Sequence, residues 1–334
     1  MCGGAAINSD YINRIAKSDG KIYKPGIFYC KTAFDGLKVM NNLTSKQKSQ
    51  FLDEWNEKIQ NWSERKYNEK PITTSTSLGS SSVKAVQKKP APPKLNYVYR
   101  FAKEDIPLDK VWELVNKKSL FVLSWGLRGK NTSMAHLEHE DILKEWKKRV
   151  LEENLFEPQA AYGYFKCRRV DDNKLLVKYQ TEKNLEDQIL FEFPRSSQGK
   201  RLCLADYFDR DSDDVVAFQS VTMGKKVADT IEKWNSQNLY SDAYYLHGFA
   251  VESTEALADW INNQIKKELG LENGGLRYSW GYPSCPDISQ HFLVWKLINP
   301  TLSGMTLTPV GQINPEFSTA AIVVHHPLAE YFTL

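Results

Sequence analysis

The chain has 334 residues and a formal net charge of +3, with 41% hydrophobic and 25% charged residues. These values predict a folded chain of about two domains and exclude one that is disordered along its whole length. The small net charge argues against a nucleic-acid-binding protein, which needs a clustered basic face, and no apolar run is long enough to predict a transmembrane helix.

The cysteine pattern and the first residues bear on where the protein works. Five cysteines lie at positions 2, 30, 167, 203 and 285 and form neither a Cys-x-x-Cys pair nor the even framework of a secreted domain. The first residues do not combine basic charge with an apolar stretch, as a signal peptide would. We therefore expect the protein in a reducing compartment, the cytoplasm.

The N-terminal region predicts a strand followed by a helix. Residues 3–8 suit a short buried strand. Asn8, Ser9 and Asp10 can cap a helix that begins near Tyr11.

A longer helical stretch is predicted over 34–70, with a helix start at Thr44-Ser45-Lys46-Gln47. Apolar residues recur there at helical spacing as one stripe, formed by Phe51, Leu52, Trp55, Ile59 and Trp62. The stripe could be a binding surface for a partner. We expect instead that it packs on a part of its own domain that the chain lacks.

A polar stretch follows these helices. Residues 73–82 are almost all Thr, Ser and Gly, and 87–93 add lysine and proline. Such a stretch cannot bury a core, so we predict a linker between two domains. The next domain is expected to begin near Leu95, with an edge strand over 97–101.

The remainder of the chain mixes helices and strands. Helices are predicted over 108–118, 138–154, 224–238, 253–269 and 287–298. Strands are predicted over 161–169, 174–179, 188–193, 214–221, 307–313 and 319–325. Runs of strands among long helices favour an α+β fold with an antiparallel sheet.

The most informative candidate site is the loop 277–287, which reads RYSWGYPSCPD. Arg277 offers a planar fork of donors that suits a carboxylate, and Gly281 would let a backbone or ligand approach closely. Pro283 and Pro286 fix two φ angles, so the loop would lose little entropy on binding. The alternative is a structural corner, in which the arginine caps carbonyl groups and the aromatic residues fill the core.

This loop also carries a resemblance to a known family. The pattern Arg-x-x-x-Gly-Tyr-Pro-x-Cys-Pro-Asp, which begins at Arg277, resembles the signature of the activation domain of cobalamin-dependent methionine synthase. Other segments resemble that domain in order and spacing, namely 125–130, 202–207, 252–258, 304–308, Pro315, Ser318, 326–327 and 331–332. The resemblance covers roughly two thirds of the chain and implies a helmet-like α+β fold.

The N-terminus resembles an earlier part of the same enzyme. Gly3 and Gly4, with segments 5–8 and 29–37, resemble the end of its Rossmann-like cobalamin-binding domain, where paired glycines lie near the nucleotide tail of the cofactor. None of the six histidines precedes Gly3, so the cobalt-ligating part is absent from this sequence. The resemblance implies a cobalamin-domain remnant with a trailing helix over 1–70, a flexible linker over 71–94 and an S-adenosylmethionine-binding activation domain over 95–334.

The chemistry that the resemblance implies is reductive methylation of oxidised cobalamin. S-Adenosylmethionine supplies the methyl group and a flavodoxin-like reductase supplies one electron, which restores methylcobalamin for methionine biosynthesis. The sulfonium methyl group is already activated, so no catalytic acid or base is expected and the protein only has to hold the ligand in position. As part of a methyltransferase without its substrate domains, the chain alone is not expected to make methionine or to bind cobalamin tightly.

The resemblance also implies which residues hold S-adenosylmethionine. Arg277 would pair with its carboxylate, while Ser279, Gly281 and Tyr282 would shape the pocket wall. Tyr331 and Phe332 match an aromatic pair near the adenosine end, and aromatic faces also favour a sulfonium. A terminal anchor tucked into the core is the alternative for that pair. Glu255 matches a glutamate near the site, although it could be a solvated residue on a helix.

One position departs from the family pattern. The family uses an aspartate near the start of the domain to hold the ammonium of the ligand, and Asn116 is the equivalent here. An amide accepts a hydrogen bond but carries no charge, so we expect the ammonium contact to weaken by about 1 to 2 kcal/mol.

No metal site is predicted. His325 and His326 are adjacent, so on a strand their side chains would point to opposite faces. His136 and His139 lack a third ligand of suitable placement.

Three hypotheses remain open from the sequence. The chain could be the C-terminal part of a cobalamin-dependent methionine synthase, either a separately encoded subunit or a truncated reading of a longer protein. It could instead be a stand-alone S-adenosylmethionine-binding module that reactivates a corrinoid protein in trans. The third possibility is a non-catalytic interaction protein that kept the fold and lost the ligand.

Overall fold

The computed structural model describes residues 1–2, 9–18, 21–30, 33–68, 83, 89–127, 133–181, 183, 185–197 and 199–334. The chain forms two compact units, Met1–Gly79 and Ser80–Leu334. The strand predicted over 3–8 lies outside the described residues, and so do Gly3 and Gly4. Within the described part of the chain, no helix combines the length and the apolar character needed to cross a membrane.

The first unit is mainly helical. Its elements are α1 (Ser9–Ile15), the antiparallel strands β1 (Lys17–Ser18) and β2 (Lys21–Ile22), α2 (Ala33–Thr44) and α3 (Lys48–Asn68). The predicted helix start between α2 and α3 is confirmed, because Ser45 Oγ accepts a hydrogen bond from the backbone N–H of Gln47 at 3.1 Å.

The apolar stripe of α3 packs inside its own unit. The ring of Phe28 lies 5.3 Å from the rings of both Phe51 and Trp55, and Ile59 is fully buried. Phe51 and Trp55 stay partly exposed, so packing of the stripe on a further part of the domain stays a prediction. The pairing with Phe28 has no periodic signal in the sequence, because Phe28 lies outside regular structure.

The second unit is built on a seven-stranded antiparallel sheet. Its strands are β3 (Val98–Phe101), β4 (Gln159–Asp171), β5 (Lys174–Gln180), β6 (Glu186–Glu192), β7 (Asp214–Thr222), β8 (Leu276–Ser279) and β11 (Ser318–Val324). The order is β6-β5-β4-β7-β11-β8, and β3 pairs with the first part of β4. This confirms the predicted α+β class and antiparallel sheet.

Helices cover both faces of this sheet. They are α4 (Leu108–Trp112), α5 (Ser133–Glu152), α6 (Lys225–Ser236), α7 (Tyr240–Glu268) and α8 (His291–Ile298). Side chains alternate along the strands, so Phe218 of β7 joins a core that includes α8 while Ala217 joins a core that includes α7. The sheet therefore separates two hydrophobic cores.

The largest differences between predicted and observed elements concern three segments, and α5 also begins at Ser133 rather than at 138. Helix α7 begins at Tyr240 rather than at 253. The sequence pattern did not reveal its first half, because Gly248 interrupts the apolar stripe. A glycine is required there, since a Cβ would lie 2.7 Å from the ring of Trp125. The strand predicted over 307–313 is two short strands, β9 (Thr306–Leu307) and β10 (Ile313–Asn314), joined by a turn. The helix predicted over 108–118 ends at Trp112, and a π-helix follows at Ser119–Ser124.

Candidate functional site

Strand β8 places Arg277 at the edge of the sheet, and this corrects the prediction that the residue belongs to a loop. Arg277 lies opposite Val323 of β11, and β8 has no neighbour on its other side in the described sheet. A strand of only four residues next to a Gly- and Pro-rich turn gives too short an alternation to be recognised from sequence.

The guanidinium of Arg277 is held by two carboxylates of α7. Its Nη2 donates to Glu255 Oε2 at 2.5 Å and its Nε donates to Asp259 Oδ1 at 2.8 Å. A weaker contact of 3.4 Å joins Nη1 to Ser279 Oγ. Burial lowers the pKa of Arg277, but the two carboxylates outweigh burial and raise the pKa above its ordinary value, so the group stays charged.

Helix α7 is fixed to the sheet close to these acids. Asn262 donates from Nδ2 to the carbonyl oxygen of Gly275 at 2.9 Å, and Gln219 donates from Nε2 to the carbonyl oxygen of Ala258 at 3.1 Å. The first bond ties α7 to the residue that precedes β8, and the second ties α7 to β7. The positions of Glu255 and Asp259 relative to Arg277 follow from that anchoring.

A tight turn follows β8 and presents Tyr282. The backbone N–H of Gly281 donates to the carbonyl oxygen of Cys285 at 2.8 Å, and that of Cys285 donates to the carbonyl oxygen of Tyr282 at 2.9 Å. Gly281 has φ = +91°, whereas a Cβ on it would lie 3.4 Å from Ile288. Glycine is therefore needed for its φ angle, and the predicted close approach of a backbone is not the reason.

The last residues of the chain run beside this turn without regular structure. Side-chain hydroxyls donate to their backbone carbonyl groups: Tyr278 to Glu330 at 2.8 Å, Ser284 to Phe332 at 2.5 Å and Ser196 to Thr333 at 2.6 Å. In return, the hydroxyl of Tyr331 donates to the carbonyl oxygen of Arg277 at 3.2 Å. Residues 330–333 are thereby held next to β8.

Between β8, the turn and this C-terminal segment lies a cavity of about 720 Å³. Of the residues proposed from sequence, Glu255, Arg277, Ser279, Tyr282, Tyr331 and Phe332 line it. Tyr331 is 67% exposed, whereas Phe332 is half-buried and packs on the core. The structure thus brings six of the predicted side chains around one space large enough for a nucleoside-sized ligand.

Charges on the cavity wall are of both signs. The Lys200 ammonium pairs with the Glu330 carboxylate at 2.8 Å, and both residues line the cavity. The negative charge of Glu255, followed by burial, raises the pKa of Tyr282, so that phenol stays protonated. The arrangement suits a ligand that carries an anionic group, a cationic group and an aromatic ring.

Asn116 lies elsewhere. Its Oδ1 accepts a hydrogen bond from the backbone N–H of Ser119 at 3.0 Å, and it is not among the residues that line the cavity. Nearby, the hydroxyls of Ser119 and Ser124 donate to Glu252 at 2.6 and 3.1 Å, and burial raises the pKa of this glutamate. A contact of Asn116 with a ligand stays a prediction.

Sequence reasoning missed Asp259, Tyr278 and the ion pair of Lys200 and Glu330. Asp259 had a usable signal, because it follows Glu255 by four residues on a predicted helix and so shares its face. The other residues come together only through the path of the C-terminal segment.

The histidines form no metal site in the described residues, where no group of three or more His, Cys, Asp or Glu could hold an ion. His325 is buried and its Nε2 lies 2.8 Å from Asp214 Oδ1. The ring of His139 lies 5.3 Å from that of Phe121.

Comparison with known proteins gives concordant matches. The family model for the activation domain of vitamin B12-dependent methionine synthase matches residues 107–334. The chain is 28% identical to the methionine synthases of Mycobacterium tuberculosis (strain ATCC 25618 / H37Rv), over 384 residues, and Mycobacterium leprae (strain TN), over 389 residues. Each alignment covers the whole chain and 32% of the relative, so the chain spans about a third of their length.

A solved structure shares the fold. The crystal structure of the MetH reactivation domain bound to AdoHcy superimposes with a TM-score of 0.63 at 20% identity, covering 73% of this chain and 83% of that one.

Proposed function

The chain belongs to the family of the activation domain of vitamin B12-dependent methionine synthase, and we propose that it binds S-adenosylmethionine in the cavity beside Arg277. The observation that carries this proposal is the convergence of Arg277, Glu255 and Tyr331 on one cavity from three separate segments of the chain. A fold neighbour that binds AdoHcy, the demethylated form of this ligand, supports it.

Arg277 is our candidate for the ligand carboxylate. Its Nε and one Nη2 hydrogen are engaged by Asp259 and Glu255, whereas Nη1 makes only the long contact with Ser279. The end of the guanidinium can therefore still donate two hydrogen bonds to a carboxylate. An arginine that only capped carbonyl groups would lack this free edge beside a cavity.

Glu255 is our candidate for the ligand ammonium. One of its oxygens, Oε2, accepts from Arg277, which leaves Oε1 for a second cationic group. Asn116 is the residue that the family pattern implies for this contact, but it does not line the cavity. We therefore assign the ammonium contact to Glu255, which carries the charge that Asn116 lacks.

Aromatic residues complete the proposed site. Tyr331 and Tyr282 are 67% and 47% exposed although both line the cavity, so their rings are available to stack on adenine or to face the sulfonium. Phe332 would form the floor, and the turn at Gly281 would set the direction of Tyr282. This exposure favours ligand contact over a purely structural anchor for Tyr331.

The proposed site needs no catalytic base. A sulfonium methyl group is transferred without prior proton removal, so these residues would act by fixing the ligand and aiming its methyl group. In the complete enzyme we expect bound cobalamin to supply the cobalt that accepts this methyl group during reductive methylation. Gly3 and Gly4 remain our candidates for contact with the nucleotide tail of that cofactor.

The wider assignments are proposals of the same kind. We assign residues 1–70 to the end of a cobalamin-binding domain, 71–94 to a linker and 95–334 to the activation domain. The partners would be the cobalamin-binding and substrate domains of a cytoplasmic methionine synthase, together with a flavodoxin-like reductase. The alternative, an interaction protein without ligand, does not account for the cavity and its charged groups.

Isothermal titration calorimetry with S-adenosylmethionine tests the proposal. We expect saturable binding by the unchanged chain and a loss of at least about tenfold in affinity for Arg277→Ala, which removes a charge-assisted fork. Glu145→Ala, at an exposed position on α5, is the control. Absence of binding by the unchanged, folded chain would refute the proposal.

A further inference from the structure

Among the described residues whose side chains form hydrogen bonds with Arg277, Asp259 is the one that does not line the cavity. Its Oδ1 accepts from Nε of Arg277 at 2.8 Å, yet Asp259 is not among the lining residues, whereas Glu255, Ser279 and Arg277 are. The Asp259 carboxylate is about half exposed to solvent on the outer side of the pair. It therefore makes no direct contact with a ligand in the cavity, and any effect on the geometry of binding would pass through Arg277.

The bond at Nε decides how the guanidinium is turned. A guanidinium has a lateral edge, formed by Nε and one Nη, and a terminal edge formed by the two Nη groups. Asp259 and Glu255 together occupy the lateral edge of Arg277. The terminal edge is thereby left for the cavity, where Ser279 gives it only a 3.4 Å contact.

Without Asp259 this orientation would have to be fixed on binding. An arginine side chain has four rotatable bonds, and its immobilisation by a ligand is an entropic cost that prior anchoring removes. Glu255 alone contacts a single Nη group, so rotation about that contact would stay possible. Two acids four residues apart on one helix hold the plane at two points, and α7 itself is anchored to the sheet through Asn262.

Charge repulsion acts against this benefit of orientation. Asp259 is negative and would repel the carboxylate of a ligand. The two carboxylates would lie on opposite edges of a cation, and the exposure of Asp259 lets solvent screen its field.

We propose that Asp259 is a positioning residue that turns the terminal edge of Arg277 toward the carboxylate of an amino-acid ligand. The inference rests on the proposed binding of S-adenosylmethionine to this cavity. It concerns the carboxylate end of the ligand alone, so its effect should vanish for a ligand that lacks that group.

Calorimetric titration of two ligands into three variants tests this. The ligands are S-adenosylmethionine and decarboxylated S-adenosylmethionine, which keeps the adenosine, sulfonium and ammonium groups. For Asp259→Ala we expect an affinity about tenfold lower for the first ligand and within about twofold for the second. Asp259→Glu should restore most of the loss, and Asp141→Ala, at an exposed position on α5, should change neither.

The outcomes separate the two proposals. If the unchanged chain binds neither ligand, the proposed function fails. If it binds S-adenosylmethionine and Asp259→Ala binds that ligand equally or more tightly, the positioning role is wrong while the function stands. An equal loss for both ligands would show a general structural role and would also overturn the inference. Should Asp259→Ala fail to fold, Asp259→Leu, which keeps a similar volume and removes the acceptor for Arg277 Nε, gives the same comparison.

Discussion

Arg277 Nη2, on the edge strand β8, donates a hydrogen bond of 2.5 Å to Glu255 Oε2, on helix α7. The contact joins residues 22 positions apart and lies on the wall of the cavity. Glu255 thus serves two purposes in the proposed site, since one oxygen holds the arginine and the other is free for a cationic group.

Replacing Glu255 by glutamine should weaken binding of S-adenosylmethionine by about tenfold, because the ligand ammonium loses its charged partner and Arg277 loses one of its two carboxylate partners. Calorimetry measures the change. Glu145→Gln on the exposed face of α5 is the matched control and should bind as the unchanged chain does. An unaltered affinity of Glu255→Gln for S-adenosylmethionine would show that Glu255 does not bind the ligand ammonium.

Two substitutions of Tyr331 can show whether its ring stacks on the ligand or anchors the C-terminal segment. Tyr331→Phe keeps the ring and should change affinity by less than about threefold, whereas Tyr331→Ala should lower it about tenfold through lost stacking. Tyr331 is 67% exposed, and both variants lose its hydrogen bond to the carbonyl oxygen of Arg277, so neither should lower the free energy of unfolding by more than about 1.5 kcal/mol. A large loss of stability with unchanged ligand affinity would favour the anchor.

Alanine substitutions at Gly281 and Gly311 can separate the cost of backbone strain from the cost of a steric clash. Both have positive φ, at +91° and +84°, but a Cβ on Gly311 would lie 2.6 Å from the carbonyl oxygen of Ile288. We expect Gly281→Ala to lower the free energy of unfolding by about 1 to 2 kcal/mol and Gly311→Ala to lower it further. Urea unfolding measures both, and equal effects would contradict the distinction.

The buried pair of Asp214 and His325 should make stability depend on pH. Burial raises the pKa of Asp214, but hydrogen bonding to His325 and to two backbone N–H groups outweighs it, so the pKa lies below its ordinary value. A lowered carboxyl pKa stabilises the folded state above the unfolded-state value, about 3.9, and this contribution is lost as pH falls through the folded-state value.

Asp214→Asn should therefore cost about 1 to 3 kcal/mol at pH 7, and its deficit relative to the unchanged chain should shrink below about pH 4. The free energy of unfolding in urea, measured at several pH values, gives this difference directly. Asp141→Asn at the exposed site on α5 should show no such dependence. A deficit that stays constant down to pH 2 would indicate a packing effect.

Most regular elements could be predicted because their patterns are long. Strands β4, β5, β6, β7 and β11 and helices α5 and α6 lie where alternation or helical spacing placed them. Short elements escaped this reasoning. Four residues of β8 give no usable period, and Gly248 concealed the first half of α7 although Trp125 fills the space that a side chain would need.

The sequence by itself determined the fold class, the Gly- and Pro-rich turn after Arg277 and the identity of six residues that line the cavity. The fold class and the turn depend on local spacing and on the chemistry of single residues, whereas the six residues were implied by the resemblance of several segments to one family. Only the tertiary structure decided that Arg277 is already paired, that Asp259 holds it from outside the cavity and that Asn116 lies elsewhere. Such relationships depend on how α7, β8 and the last residues of the chain pack together, and hydrophobic burial across a sheet sets that packing without leaving a pattern at the sites themselves.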